Sequence, residues 1–236
     1  MGINCRSRFT AEDFQFVVDT LARDEGATVR LNDLLVDLET RDAILDHEKV
    51  YHAMVDQCGC LKVSPSLYFY VLTRRALCSA SMNEREIADY IAAVLEGFTD
   101  QCRLAKNLRQ KGLPLQVARG FPYVSDILEA MKDATPHQAY VLRTHLGNYT
   151  LFFSGLFSER IRAQRDRRGA PDIDFYEKMG QTNYHLAARD REAQAAKLTH
   201  ILEFLAARFH EVRLVLNQLT ETVFHLSDPP VGIITA

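Results

Sequence analysis

Apolar side chains recur at steps of three and four along most of this chain, the period of helices that each keep one dry face. The densest stretch covers residues 135–161. There Leu142, Leu146, Tyr149, Phe153, Leu156 and Ile161 form one stripe, and Phe152 and Phe157 widen it. A second face carries Gly147, Leu151, Ser154, Gly155 and Ser158. Glycine within a helix costs about 1 kcal/mol against alanine, so two of them predict either a close helix–helix approach or a bend. The stretch reads as a long, buried, aromatic central helix. The clearest period comes later, at Leu198, Ile201, Leu205, Phe209, Val212, Leu216, Leu219 and Val223. It predicts one long amphipathic helix over residues 191–224. Its seam is either internal to a bundle or the contact of a homodimer.

The remaining pattern adds shorter helices. Thr10 and Asp13 have capping-box spacing ahead of Phe14, Val17, Val18 and Leu21, and that helix is expected to end near Gly26. Leu31, Leu34, Leu35 and Leu38 suggest a second helix, and residues 41–56 a third, burying Ile44, Tyr51 and Val55. Ser64 followed by Pro65 is a helix start, with the helix expected to run through Cys78. After Asn83, the positions Ile87, Tyr90, Ile91, Val94, Leu95 and Phe98 predict a helix that continues, straight or kinked, through Leu104 and Leu108. Gly112 to Pro114 and Gly120 to Pro122 bracket a turn, and residues 123–131 make another short helix. Ile173, Phe175, Tyr176, Met179, Tyr184 and Leu186 give an aromatic helix that Gly180 either closes or bends. Ser227, Asp228, Pro229 and Pro230 stop the last one. The expected fold is all-α, a compact multi-helix bundle in a single domain over 1–236. A subdivision into an acidic subbundle (1–57) and a main bundle (58–236) is open. Strands and helices do not alternate, which argues against a doubly wound nucleotide-binding sheet.

Charge changes this picture locally. The whole chain carries a formal net charge of -3, which argues against nucleic acid as a partner. Residues 10–57, however, hold 12 acidic and 4 basic side chains. Such a section presents an acidic surface, solvated or docked to a basic partner. The five cysteines form no disulfide framework for a chain of this size. No run of eighteen apolar residues predicts a membrane span. Met1 and Gly2 begin neither a secretory leader nor, with Arg6 in place of serine or threonine, a myristoylation signal. The expected location is the cytoplasm.

Several polar constellations could carry chemistry. Glu48 and His52 lie four apart and share a helix face, the beginning of a metal site for iron or zinc, although the His-Glu-x-x-His spacing is missing. Cys58 and Cys60 could contact one ion but lack a second pair. His137 and His145, two turns apart, could line a ligand cavity with Tyr149, Tyr176 and Tyr184, or simply knit helices through buried hydrogen bonds. Arg160, Arg162, Arg165 and Arg168 form a basic run able to hold an anion, with Glu159, Asp166, Asp172 and Asp174 close enough in sequence to neutralise it. Neither a nucleophile elbow nor a phosphate loop occurs. The leading expectation is a noncatalytic protein-interaction or regulatory scaffold with a protein partner. The competing one is a helical metal-dependent oxidoreductase or small-ligand-binding enzyme with a His/Glu site.

Overall fold

The computed structural model describes residues 4–56, 63–113, 117 and 124–224. Fourteen α-helices and no strand occur among them, so the fold is all-α. No helix among the described residues is long and apolar enough to cross a membrane. Two compact units are present, one within Ile3–Glu96 and one within Gly97–Ala236. The division falls inside a helix, whereas the charge pattern draws its line at residue 57. Cys58, Cys60, the bracketed segment 114–116 and 118–123, and the stop after Phe224 lie outside the described residues.

The first unit opens with a 3-10 turn, Arg6–Arg8, followed by α1 (Ala11–Leu21), α2 (Glu25–Leu34), α3 (Leu38–Leu45), α4 (Glu48–Asp56), α5 (Pro65–Ser79) and most of α6 (Arg85–Thr99). The Thr10 hydroxyl accepts the Asp13 N–H and the Asp13 carboxylate accepts the Thr10 N–H, a complete capping box. Ser64 caps α5 by accepting the Leu67 N–H. Two expected helices are divided differently. Leucine spacing suggested one helix through Leu31 and Leu38, but α2 ends at Leu34 and α3 begins at Leu38, because Asp37 accepts the Thr40 N–H and starts a new helix. The expected helix over 41–56 breaks at Asp46 and His47, where the His47 Nδ1 accepts the Lys49 N–H at 3.1 Å.

Carboxylates and guanidinium groups fasten this unit internally. Asp46 receives both Arg74 Nε (3.0 Å) and Nη2 (3.1 Å), and also Arg85 Nη2 (2.8 Å). Asp42 receives Arg6 Nη1 at 2.9 Å. Buried Asp89 accepts the backbone N–H of both Cys5 and Arg6 at 2.9 Å, and buried Glu96 accepts the Ser66 hydroxyl at 2.7 Å. Burial raises the Asp89 carboxyl above the usual carboxylate range, and the Arg6 and Cys5 amides oppose that rise.

The second unit contains α7 (Gln101–Gln110), α8 (Val124–Lys132), α9 (Pro136–Leu156), α10 (Ser158–Arg168), α11 (Ile173–Ala188), α12 (Arg191–Ala195), α13 (Thr199–Ala207), α14 (Phe209–Leu219) and a π-helical turn, Thr220–Phe224. Every side chain from Thr144 to Leu156 is buried, so α9 is surrounded, with α11, α14 and α8 packed on it. Its polar groups are satisfied at home. Thr150 Oγ1 donates to Leu146 O at 2.9 Å and Ser154 Oγ to Thr150 O at 2.6 Å. The small positions admit neighbours: a Cβ on Gly147 would lie 2.7 Å from the Tyr184 ring, and one on Gly155 would lie 2.9 Å from Leu216. Gly180 neither closes nor ends α11, which runs on to Ala188. It lies against Phe209 and Thr150.

The central helix stops earlier than residue 161. Phe157 leaves the helical region (φ -124°, ψ 37°) and α10 begins at Ser158. Carbonyls freed at this break are taken up by α14, where Asn217 Nδ2 donates to Ser154 O at 3.0 Å and also to Gly155 O. The region 191–224 is likewise not one helix. It is divided at Ala196 to Leu198, where Lys197 has φ 57°, and again at Arg208 (φ -113°, ψ 25°). All eight periodic positions, Leu198 to Val223, are nevertheless buried within the chain.

Candidate functional site

The residues singled out for chemistry do not gather at one place. His137, in the first turn of α9, is exposed and its Nδ1 lies 2.7 and 2.8 Å from the two Glu192 carboxylate oxygens. His145 is buried, stacked on Phe98 at 5.8 Å, and its Nε2 has no hydrogen-bond partner. Burial, with Lys111 nearby, lowers its pKa to about 4. Tyr149 stacks on Phe153 at 5.8 Å and Tyr176 tilts against the same ring at 5.5 Å. Tyr184 donates its hydroxyl to Asn148 Oδ1 at 2.9 Å. These contacts belong to helix packing, and none of the five residues lines either of the two clefts described below.

The basic run of α10 is partly neutralised. Arg162 pairs with Glu159 at 2.6 Å and Arg165 approaches Asp172 at 3.8 Å. The side chain of Arg168 lies outside the described residues. Arg160 keeps a buried Nε without a partner and lines a cavity of about 80 Å³ with Asn217, Thr220 and Glu221. Glu48 and His52 share a face of α4 as their spacing requires, 3.6 Å apart and both exposed, but Glu48 also pairs with Arg75 at 3.0 Å. Among the described residues no group of three or more histidines, cysteines, aspartates and glutamates could hold a metal ion.

A different feature stands out in the first unit. The end of α1, helices α2 and α3, and the start of α4 enclose an open cleft of about 520 Å³. Leu21, Leu31, Leu34 and Ile44 supply its apolar floor, and Arg23, Arg30, Lys49 and His47 supply its polar groups. The fold of α3 explains one wall. Asp42 and Asp46 point into the ion network described above, which leaves Thr40, Ile44 and His47, spaced four and three apart, to turn toward the cleft. On α2, Ala27, Leu31 and Leu34 do the same. That helix has no buried residue at all.

The charge of the cleft inverts that of its surroundings. Three of the four basic residues between positions 10 and 57 line it, and none of the twelve acidic ones does. Six of the twelve carboxylates are used elsewhere: Asp13, Asp24 and Asp37 accept backbone N–H groups at helix starts, Asp42 and Asp46 bind arginines, and Glu48 binds Arg75. Among the described residues Arg23, Arg30 and Lys49 make no ion pair. Composition alone indicated an acidic surface. The cleft was missed because its lining comes from positions 21, 30, 31, 44 and 49, which no single periodicity joins. The isolated signal was Arg23, Arg30 and Lys49 themselves, rare cations in an acidic section. No protein-family model, curated protein or solved structure matches this chain.

Proposed function

We propose that this protein is a noncatalytic interaction scaffold that engages a protein partner through α2 and α3. The observation that carries this reading is the placement of exposed apolar side chains. Of seven large exposed apolar residues among those described, four lie within ten positions: Val29 (61%), Leu34 (46%), Val36 (81%) and Leu38 (64%). Scattered singly, such residues are ordinary; clustered beside an apolar cleft they mark an interaction surface. A ten-residue helix without one buried side chain also gains little from its own chain, since isolated helices of this length are marginal in water. A partner's covering would supply the missing burial.

The reading favours a different protein over a homodimer built on the last helices, because the periodic face of α13 and α14 is already buried. It also stands ahead of a His/Glu metal enzyme, since Glu48 and His52 have no third donor beside them among the described residues. The free thiols of Cys5 and Cys78 fit a reducing compartment such as the cytoplasm. Photo-cross-linking from a reactive amino acid at Val36 in living cells tests the proposal. The expected result is one or a few discrete protein adducts that disappear with Leu38→Asp. A full-length protein that forms no adduct, or only adducts insensitive to Leu38→Asp, contradicts it.

A further inference from the structure

We infer that the cleft between α1, α2 and α3 receives an acidic amphipathic helix of the partner, its apolar face on Leu21, Leu31, Leu34 and Ile44 and its carboxylates against Arg23, Arg30 and Lys49. This inference rests on the scaffold reading and names the chemistry of what binds. Charge complementarity selects the occupant. The apolar floor alone would accept any hydrophobic helix, but a basic amphipathic segment would bring its cations against three unpaired ones. Like-charge juxtaposition at an interface is a penalty that discriminates between partners. The same basic segment would be drawn instead to exposed carboxylates outside the cleft, such as Glu25, Asp33 and Glu39.

The geometry also accounts for the cations being unpaired. The Asp24 carboxylate accepts the Ala27 N–H at 2.7 Å and is occupied as the cap of α2. Glu48, adjacent to Lys49, is held by Arg75. Asp24 and Glu48 are thus committed, and among the described residues no ion pair joins the exposed Glu25, Asp33 or Glu39 to the cleft's cations. The guanidinium groups of Arg23 and Arg30 remain available to a ligand's carboxylates in two-pronged contact. Open shape suits a helix better than a small enclosed molecule: the cleft is a surface trough whose lining includes exposed Leu34, with Val36 and Leu38, next along the chain, exposed as well.

The test uses the purified full chain and three synthetic peptides of about 16 residues, long enough for marginal helicity. One carries leucines at helical spacing flanked by glutamates, the second has the same leucines flanked by lysines, and the third is a scrambled form of the first. The inference expects the acidic amphipathic peptide to bind, the lysine peptide and the scrambled one to bind at least tenfold more weakly, and the affinity to fall with added salt. Arg23→Glu with Arg30→Glu should weaken binding roughly tenfold, as loss and reversal of rim charges does, while Lys106→Glu in the second unit changes nothing. Both arginines are exposed and unpaired, so circular dichroism and melting should match those of the native chain. Leu31→Asp provides a second variant that abolishes the apolar contact. Equal or tighter binding of the lysine peptide, insensitivity to the Arg23 and Arg30 reversals, or binding to phosphatidylserine vesicles with no binding of the acidic peptide would overturn the inference. Cross-links from Val36 without acidic-peptide binding would defeat this inference alone. Peptide binding without any cross-linked protein would defeat the scaffold reading.

Discussion

His145 sits with 4% of its surface exposed and an unpartnered Nε2, so protonating it in place means putting a charge where little can solvate it. Its folded pKa is held near 4, against about 6.5 for an unfolded chain. Between these values the unfolded chain binds the extra proton. Stability from this group is therefore present above pH 6.5 and lost as the pH falls toward 4, by an amount on the order of 3 kcal/mol. Urea denaturation at pH 7 and pH 4.5 should show His145→Leu losing distinctly less stability on acidification than the native chain. Identical losses would mean that the imidazole is not excluded from water. Asp46 makes a second case. It holds buried Arg74 and also Arg85, so Asp46→Asn leaves a guanidinium without its counter-charge and should cost roughly 2–4 kcal/mol, read as a lower denaturant midpoint.

Helix packing around α9 depends on how near the neighbours come. A Cβ on Gly147 would sit 2.7 Å from Tyr184, whose hydroxyl is fixed on Asn148, so the ring cannot swing away without losing that bond. Gly147→Ala should destabilise by about 1–3 kcal/mol despite alanine's better helix propensity, and the sign of the change in melting temperature checks it. A close approach here is one of two readings of the paired glycines, the other being a bend, and neither names Tyr184 as the neighbour. The starts at Thr10 and Ser64 were legible, where a side-chain oxygen accepts the N–H three positions on. The breaks at Asp46, Phe157 and Arg208 were not, while the one at Asp100 falls where the spacing allows a kink. Apolar spacing continues across a short interruption, and the aspartates at positions 24, 37, 100, 172 and 190 that start new helices look in a sequence like solvated charge. The cleft was the least legible of all, since four separate elements contribute to it.

Across the chain, burial and exposure are distributed unequally. The second unit encloses α9 and hides the periodic face of α13 and α14, with Leu205 and Phe209 fully buried. Leu205→Asp should therefore lower the melting temperature and far-UV ellipticity, whereas a dimer seam would yield a folded monomer by sedimentation. The first unit is fastened at its ion network yet leaves α2 uncovered. Amide hydrogen exchange of the full chain tests that contrast most directly. In the free protein, α2 should exchange roughly a hundredfold faster than α5, whose Leu67, Tyr70 and Leu72 are fully buried, and saturating acidic amphipathic peptide should slow α2 while leaving α5 unchanged. Protection of α2 equal to that of α5 in the free chain, with no response to the peptide, would contradict the account.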